Sequence, residues 1–296
     1  MADKSQSTRK IKIGLLGSTG RVGRLLIDEI LACAEATLSV IFVREKLDFP
    51  QILQNGQNLQ SEQNPQNTIV TNDLDTLIKS CEVIIDFSSK QGTASLLSAL
   101  KSATDSSESK SPACVIGTTG LDKEDFALME SLGKRVPILY AANMSLGVAT
   151  LCKVVEEVAR KLQSADIEIS EIHHRFKKDA PSGTALALAH SCAKGRGSKS
   201  QNFITDRVSA GARQSGQISI TSLRGGDVAG RHTVGFYLDG EYLEFTHNAT
   251  SRATFAKGAL ACALWLSKQS PKLYCIDDML ANNSYCLLYT SPSPRD

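Results

Sequence analysis

The stretch from Lys10 to Gly23, KIKIGLLGSTGRVG, limits the fold more than any other part of the chain. Ile11, Ile13, Leu15 and Leu16 read as a strand, and Leu25, Leu26 and Ile30 follow Val22 at helical spacing. Between them, Gly17 permits a tight turn, Gly20 lets a pyrophosphate approach the backbone, and Gly23 lets the helix pack closely on the strand. Glycines also end strands and open loops, so the triad takes its meaning from its place between strand and helix. It predicts a dinucleotide-binding fold.

The alternation continues. Leu38–Val43, Val83–Phe87, Cys114–Gly117 and Pro137–Ala141 read as strands, with helices over Asp73–Lys79, from about Gly92, and before Pro137. Repeated alternation predicts a parallel sheet with helices on both faces, and ligands of such sheets sit at the strands' carboxyl ends. Gly117, Thr118 and Thr119 can approach a nicotinamide or ribose there. Phe87 and Ser88 are either cofactor wall or core Phe with a capping Ser. The second strand ends in Val43-Arg44, where a NAD-binding fold would place an acidic residue. Arg44 either pairs with the 2′-phosphate of NADP or is a solvated arginine, and Glu45 leaves NAD open. Polar stretches over Lys46–Asn67 and Lys101–Ser111 read as surface loops.

A second region begins with the helical stripe Leu151, Val154, Val155, Val158 and Leu162. It leads to a strand carrying Ile167, Ile169 and Ile172, then to EIHHRFKKDAPSGT over 171–184, which holds two of the chain's five histidines. His173, His174, Arg175, Lys177 and Lys178 are expected on a strand-to-helix loop, before a helix from Thr184 to Ala193. Unpaired N–H groups at a helix start let Ser182, Gly183 and Thr184 hold a carboxylate. The plainer alternative is a capped helix behind a solvated basic loop, with Asp179 or Ser182 as cap and Pro181 in the first turn. His173 and Lys177 can supply protons, while Arg175 or Lys178 tune them or face solvent. The implied ligand is a small acid with more than one carboxylate. Ile218–Leu223, His232–Leu238 and Tyr242–His247, with Asp239-Gly240 as a hairpin turn, predict an antiparallel region. Arg224 faces the ligand or a neighbouring subunit, and the helix Thr254–Ser267, with Trp265, returns to the first domain.

A net charge of +2 provides no field for nucleic acid or an anionic membrane. The eight cysteines form no CxxC pair and read as buried free thiols in a reducing compartment; no metal centre is expected. No apolar run has the length of a membrane span, and MADKSQSTRK lacks a hydrophobic signal core. The cytoplasm is the expected location, or an organelle stroma in a plastid-bearing source. The tail SYCLLYTSPSPRD, 284–296, reads as non-native sequence.

In order, GSTGRVG, IIDFSSKQGT, VIGTTG, YAANMSLG, EIHHRFKKDAPSGTA and EFTHNATSR resemble the 4-hydroxy-tetrahydrodipicolinate reductase family, also called dihydrodipicolinate reductase. The resemblance runs from Lys10 to about Asn283, and HHR-x-K-x-DAPSGTA is its most specific part. It implies an α/β chain: a Rossmann-like parallel sheet domain over 1–143 completed by 247–283, and a smaller α/β substrate and oligomerisation domain over 144–246 with a mixed, largely antiparallel open sheet. It also implies a homotetramer that uses NADPH or NADH to reduce a small cyclic dicarboxylate of lysine and diaminopimelate biosynthesis. By position, Gly17, Ser18, Thr19, Gly20, Arg21, Val22, Gly117, Thr118, Thr119, Ala141, Ala142, Asn143 and Met144 line the cofactor, with Arg44 near the adenosine 2′ position. His173 and Lys177 match the acid/base pair, and His174, Gly183 and Thr184 match substrate contacts. Val43 departs from relatives that use NADH well, which carry an acid there. Two rivals stand beside this reading. A dinucleotide-binding sensor would move no hydride, and a semialdehyde dehydrogenase would need a nucleophilic cysteine, whereas Cys114 and Cys152 lie in apolar segments.

Overall fold

The computed structural model describes residues 9–44, 67–106, 111–198 and 203–281. The chain divides into two compact units, Met1–Met144 with Phe255–Asp296, and Ser145–Thr254. Glu45, nearly all of the stretch expected as a loop after Lys46, and the tail from 284 lie outside the described residues.

The first unit holds β1 (Ile11–Leu16), α1 (Arg21–Ala32), β2 (Ala36–Phe42), β3 (Ile69–Thr71), α2 (Leu74–Lys79), β4 (Val83–Asp86), α3 (Lys90–Asp105), β5 (Ala113–Ile116), α4 (Lys123–Gly133) and β6 (Pro137–Tyr140). Seven strands pair in parallel in the order β3-β2-β1-β4-β5-β6-β11, the last being Lys272–Tyr274 near the end of the chain. Every residue of β4 and β5 is buried, as a sheet covered on both faces requires. On α1 the buried positions are Gly23, Leu26, Ile27 and Ile30, one face at helical spacing. Helix α3 extends the expectation, because Lys101–Asp105 continues it instead of forming a loop. Its last fully buried residue is Leu100, and the last turn adds only the small, half-buried Ala103; Arg135 holds that turn by bonding Asp105 and the Thr104 carbonyl. Of the described cysteines, all free, Cys114, Cys192 and Cys262 are buried, but Cys275 is exposed, against the expectation of buried thiols throughout.

The second unit contains α5 (Leu146–Lys161), β7 (Asp166–His173), α6 (Gly183–Gly195), α7 (Arg207–Ala210), β8 (Ile218–Arg224), β9 (Gly230–Leu238) and β10 (Glu241–Ala249). After it, α8 (Ala253–Leu266), buried from Gly258 onward, carries the chain back, followed by α9 (Ile276–Ala281). The boundary expected at 246/247 falls inside β10, and the units part at Thr254. Sheet order is β10-β9-β7-β8. β9 pairs antiparallel with β7 and β10, while β8 runs parallel to β7, so the region is mixed where the hairpin signal alone suggested antiparallel strands. The Asp239-Gly240 turn joins β9 to β10 with Gly240 at φ +87°, a conformation that favours glycine.

The inner face of this sheet is laid out in rows. Ile167 lies between Ile218 and Phe236, and Ile169 between Ile220 and Val234, all buried in one core with Val155, Leu188 and Ala189 of α5 and α6. Two residues further along β7 the same face turns polar: Glu171 lies between Ser222 and His232, and His173 beside Arg224. Side chains alternate along a strand, so the face that carries the core at one end carries this cluster at the other.

Candidate functional site

His173 is the last residue of β7, not part of the loop after it as expected, and it is buried with Glu171 on the inner face, whereas Ile172 points the other way. Its Nδ1 meets a Glu171 carboxylate oxygen. The other oxygen of Glu171 accepts from Arg224 Nη2 at 2.9 Å and from the Ser182 backbone N–H at 3.3 Å. Arg224 also donates to the Asp179 carbonyl at 2.5 Å, which turns it inward. Burial pushes the Glu171 carboxyl up, but hydrogen bonds from Arg224, Ser222 and His173 outweigh this and hold it below its ordinary value. His173 is pushed down by burial and by the Lys177 and Arg224 charges, against an opposing pull from Glu171.

Ser182, not Asp179, caps α6: its hydroxyl accepts from Ala185 N–H at 3.2 Å and meets His232 Nε2 at 3.1 Å. Pro181 therefore precedes the cap instead of sitting in the first turn. Gly183 and Thr184 are the first two helical residues, exposed and half-buried respectively, where helix N–H groups lack internal partners. Lys177 Nζ is held by the Asp179 carboxylate at 2.8 Å, and that pairing holds Asp179 below the usual carboxylate range. His174 is half-buried, and its Nδ1 has no partner among the described residues. His173, Lys177, Gly183 and Thr184 thus gather at the end of β7 and the start of α6. His232 packs edge-on against His173 with ring centroids 5.0 Å apart, and burial pushes its imidazole down to about 4. Glu171, His173 and His232 bring ligand-type atoms within 4.8 Å of one another. Arg224 pairs with the carboxylate of that trio, which joins the cluster into one hydrogen-bond network.

From sequence, Ser182 is expected at a carboxylate or as the cap and Arg224 at the ligand or a neighbouring subunit, whereas Glu171 and His232 are not singled out as site residues. The period of β7 could have found Glu171, since it places 167, 169, 171 and 173 on one face.

In the first unit, the cofactor candidates all stand at carboxyl ends of parallel strands. Gly17 follows β1 at φ +89°, and a Cβ there would lie 2.4 Å from the Phe87 carbonyl oxygen. A Cβ on Gly23 would lie 2.1 Å from the Gly17 oxygen, so both positions require glycine. Gly20 caps α1 without a side chain, which leaves the helix N-terminus beside Arg21 and Val22 open to an anion. Between them Ser18 is buried, with a hydroxyl that has no partner among the described residues. Gly117 follows β5 against the Phe87 ring, and Ala141 follows β6 with its N–H on the Ile116 carbonyl at 3.1 Å. Phe87 is accordingly a wall between two of these loops. Asp86 binds them together: its carboxylate accepts from Ser88 N–H at 2.9 Å, Thr93 at 2.5 Å and Thr118 at 3.2 Å. Arg44 is exposed, two residues past the end of β2. Open glycine turn, uncapped helix and orphaned hydroxyl together fit the pyrophosphate of a dinucleotide.

Residues 11–144 match the family model for the dihydrodipicolinate reductase N-terminus, and residues 147–280 that for its C-terminus. The 4-hydroxy-tetrahydrodipicolinate reductase of Helicobacter hepaticus is 50% identical over 275 residues, covering 91% of this chain and 99% of the relative. That of Wolinella succinogenes is 49% identical over 274 residues, covering 91% and 98%. Among solved structures, dipicolinate-bound dihydrodipicolinate reductase from Paenisporosarcina sp. TG-14 superposes with a TM-score of 0.67 at 22% identity, over 90% of this chain and 97% of that one. At that identity the likeness speaks for the fold. No described helix is long and apolar enough to cross a membrane.

Proposed function

The chain belongs to the dihydrodipicolinate reductase family of NAD(P)H-dependent oxidoreductases, and we propose that it reduces 4-hydroxy-tetrahydrodipicolinate to tetrahydrodipicolinate, with loss of water, in lysine and diaminopimelate biosynthesis. The observation that carries the substrate assignment is the polar end of the inner sheet face, where an acid/base histidine, a lysine and an open helix N-terminus converge. A cyclic imine with two carboxylates needs cations and N–H donors for its charges and a proton source for the atom that becomes basic.

Gly183 and Thr184 N–H groups hold one carboxylate, and His174 contacts the same ligand. Lys177 exchanges its Asp179 partner for the substrate, and His173 and Lys177 serve as the acid/base pair. In the first unit, Gly17, Ser18, Thr19, Gly20, Arg21 and Val22 hold the pyrophosphate, while Gly117 to Thr119 and Ala141 to Met144 line the remainder of the cofactor. The bound reduced nicotinamide supplies the hydride. Arg44 lies where an adenosine 2′-phosphate would be read, which favours NADPH, with NADH as the alternative.

The outer face of the second sheet exposes Leu223, Tyr237 and Tyr242, with the two tyrosine rings stacked at 5.5 Å. An open sheet face that exposes such apolar side chains among polar ones supports assembly into a homotetramer, which sedimentation would check by mass. The free thiols support a reducing compartment, the cytoplasm.

Following the absorbance of the reduced cofactor tests the assignment. His173→Ala and Lys177→Ala should each lower kcat by about a hundredfold or more, with little change in cofactor Kd. Near-normal turnover in both variants would overturn it.

A further inference from the structure

We infer that Glu171 is the positioning residue of this site: its carboxylate fixes the His173 proton on Nδ1, making Nε2 the atom that exchanges a proton with the ligand, and it ties His173 to the N-terminus of α6. The inference rests on the reading of His173 as an acid/base group.

Geometry carries the argument. The Glu171 side chain is fully buried, yet both oxygens are used, one by His173 Nδ1 and the other by Arg224 and the Ser182 N–H. One carboxylate thus joins the ends of β7 and β8 to the first turn of α6. An ionised carboxylate only accepts hydrogen bonds, so the neutral imidazole must carry its hydrogen on Nδ1 and leave Nε2 bare. Arg224 keeps Glu171 ionised. On the far edge, Nε2 lies against Gly230, where a Cβ would stand 3.0 Å away. Glycine there keeps a side chain off the atom that must reach the ligand.

The charged and titratable groups facing His173 are Glu171 on its own strand, Arg224 on β8, His232 on β9 and Lys177 from the following loop, with Asp179 behind Lys177. Of these, Glu171 favours the imidazolium, while Lys177, Arg224 and burial oppose it. Removing the Glu171 charge therefore lowers the pKa of His173 further. A dicarboxylate arriving beside the imidazole adds negative charge and raises it, so that Nε2 takes up a proton as the ligand binds.

The test uses solid-state 15N spectra of the histidine-labelled full chain without ligand, with the His173 signals identified by their loss in His173→Gln. At a pH where His173 is neutral, Nδ1 should be protonated and Nε2 bare; an Nε2–H tautomer would overturn the inference without any Glu171 variant. In Glu171→Gln the amide turns its oxygen to Arg224 and its NH2 to Nδ1, so the proton should move to Nε2. In that variant kcat should fall about a hundredfold, and the alkaline limb of the kcat/KM profile, where the proton donor is lost, should move to lower pH. A merely structural role would lower the melting temperature but leave the limb of the surviving activity in place, and that result would also overturn the inference. Full turnover in His173→Ala would remove the acid/base reading alone, since the tautomer is measured without turnover.

Discussion

Thr184 and Ser182 divide one task that the sequence left undivided. The cap belongs to Ser182, whose hydroxyl takes the Ala185 N–H. Thr184, two positions on, is a helical residue of the first turn and not the cap. Thr184→Val removes only its hydroxyl, a contact of about 1.5 to 3 kcal/mol if made to a carboxylate. KM for the dicarboxylate should therefore rise several-fold to about a hundredfold, while the melting temperature stays nearly unchanged. A lowered melting temperature with an unchanged KM would show that the hydroxyl serves the helix instead. The sequence made His173, Lys177, Gly183 and Thr184 legible because scarce residue types cluster before a small-residue helix start. It hid Glu171 and His232 and left Arg224 between ligand and neighbouring subunit; the three reach the site from three strands and are separated by up to 61 residues along the chain. Cross-strand neighbours become visible only once register is known.

At the scale of elements, the β1–α1 turn is legible because Gly17 and Gly23 each answer a local steric demand. Gly23 shows it best: a methyl group there meets the Gly17 oxygen at 2.1 Å, although alanine ordinarily stabilises a helix interior by about 0.5 to 1 kcal/mol. Fluorescence titration should find that Gly23→Ala loses affinity for NADPH and NADH alike, because the turn cannot close on either pyrophosphate. Arg44→Ala should weaken NADPH more than NADH, by about 1 to 3 kcal/mol for a charge-assisted phosphate contact. Wild-type affinity in Gly23→Ala, or equal losses in Arg44→Ala, would contradict these two assignments. Strands β4, β5 and β6 are equally plain, because short apolar runs bounded by polar or small residues suit a sheet covered on both faces. The final turn of α3 is not. Only the small side chain of Ala103 packs on the core there, and backbone propagation plus the Arg135 anchor leave no mark in hydrophobic periodicity.

For the whole molecule, strand-helix alternation followed by a region with a hairpin is visible in the order of patterns, as is the return of α8 to the first unit, whereas strand β11 is not. The parallel pairing of β7 with β8 is not visible either, since the 44 residues between them, 174–217, give no turn signal that fixes direction. What the two units accomplish together is a chemical claim: hydride leaves a nicotinamide and enters the ring of a dicarboxylate, with a proton provided at the end of β7. A sensor that binds both ligands would pass every binding test and fail this one. The direct measurement supplies NADPH deuterated at the transferable position of the nicotinamide, in ordinary water, together with freshly made 4-hydroxy-tetrahydrodipicolinate, and weighs the product. The wild-type chain should yield tetrahydrodipicolinate carrying one deuterium per cofactor oxidised, and Lys177→Ala should yield it about a hundredfold more slowly. A product without deuterium, or cofactor that stays reduced in the presence of substrate, would contradict the account.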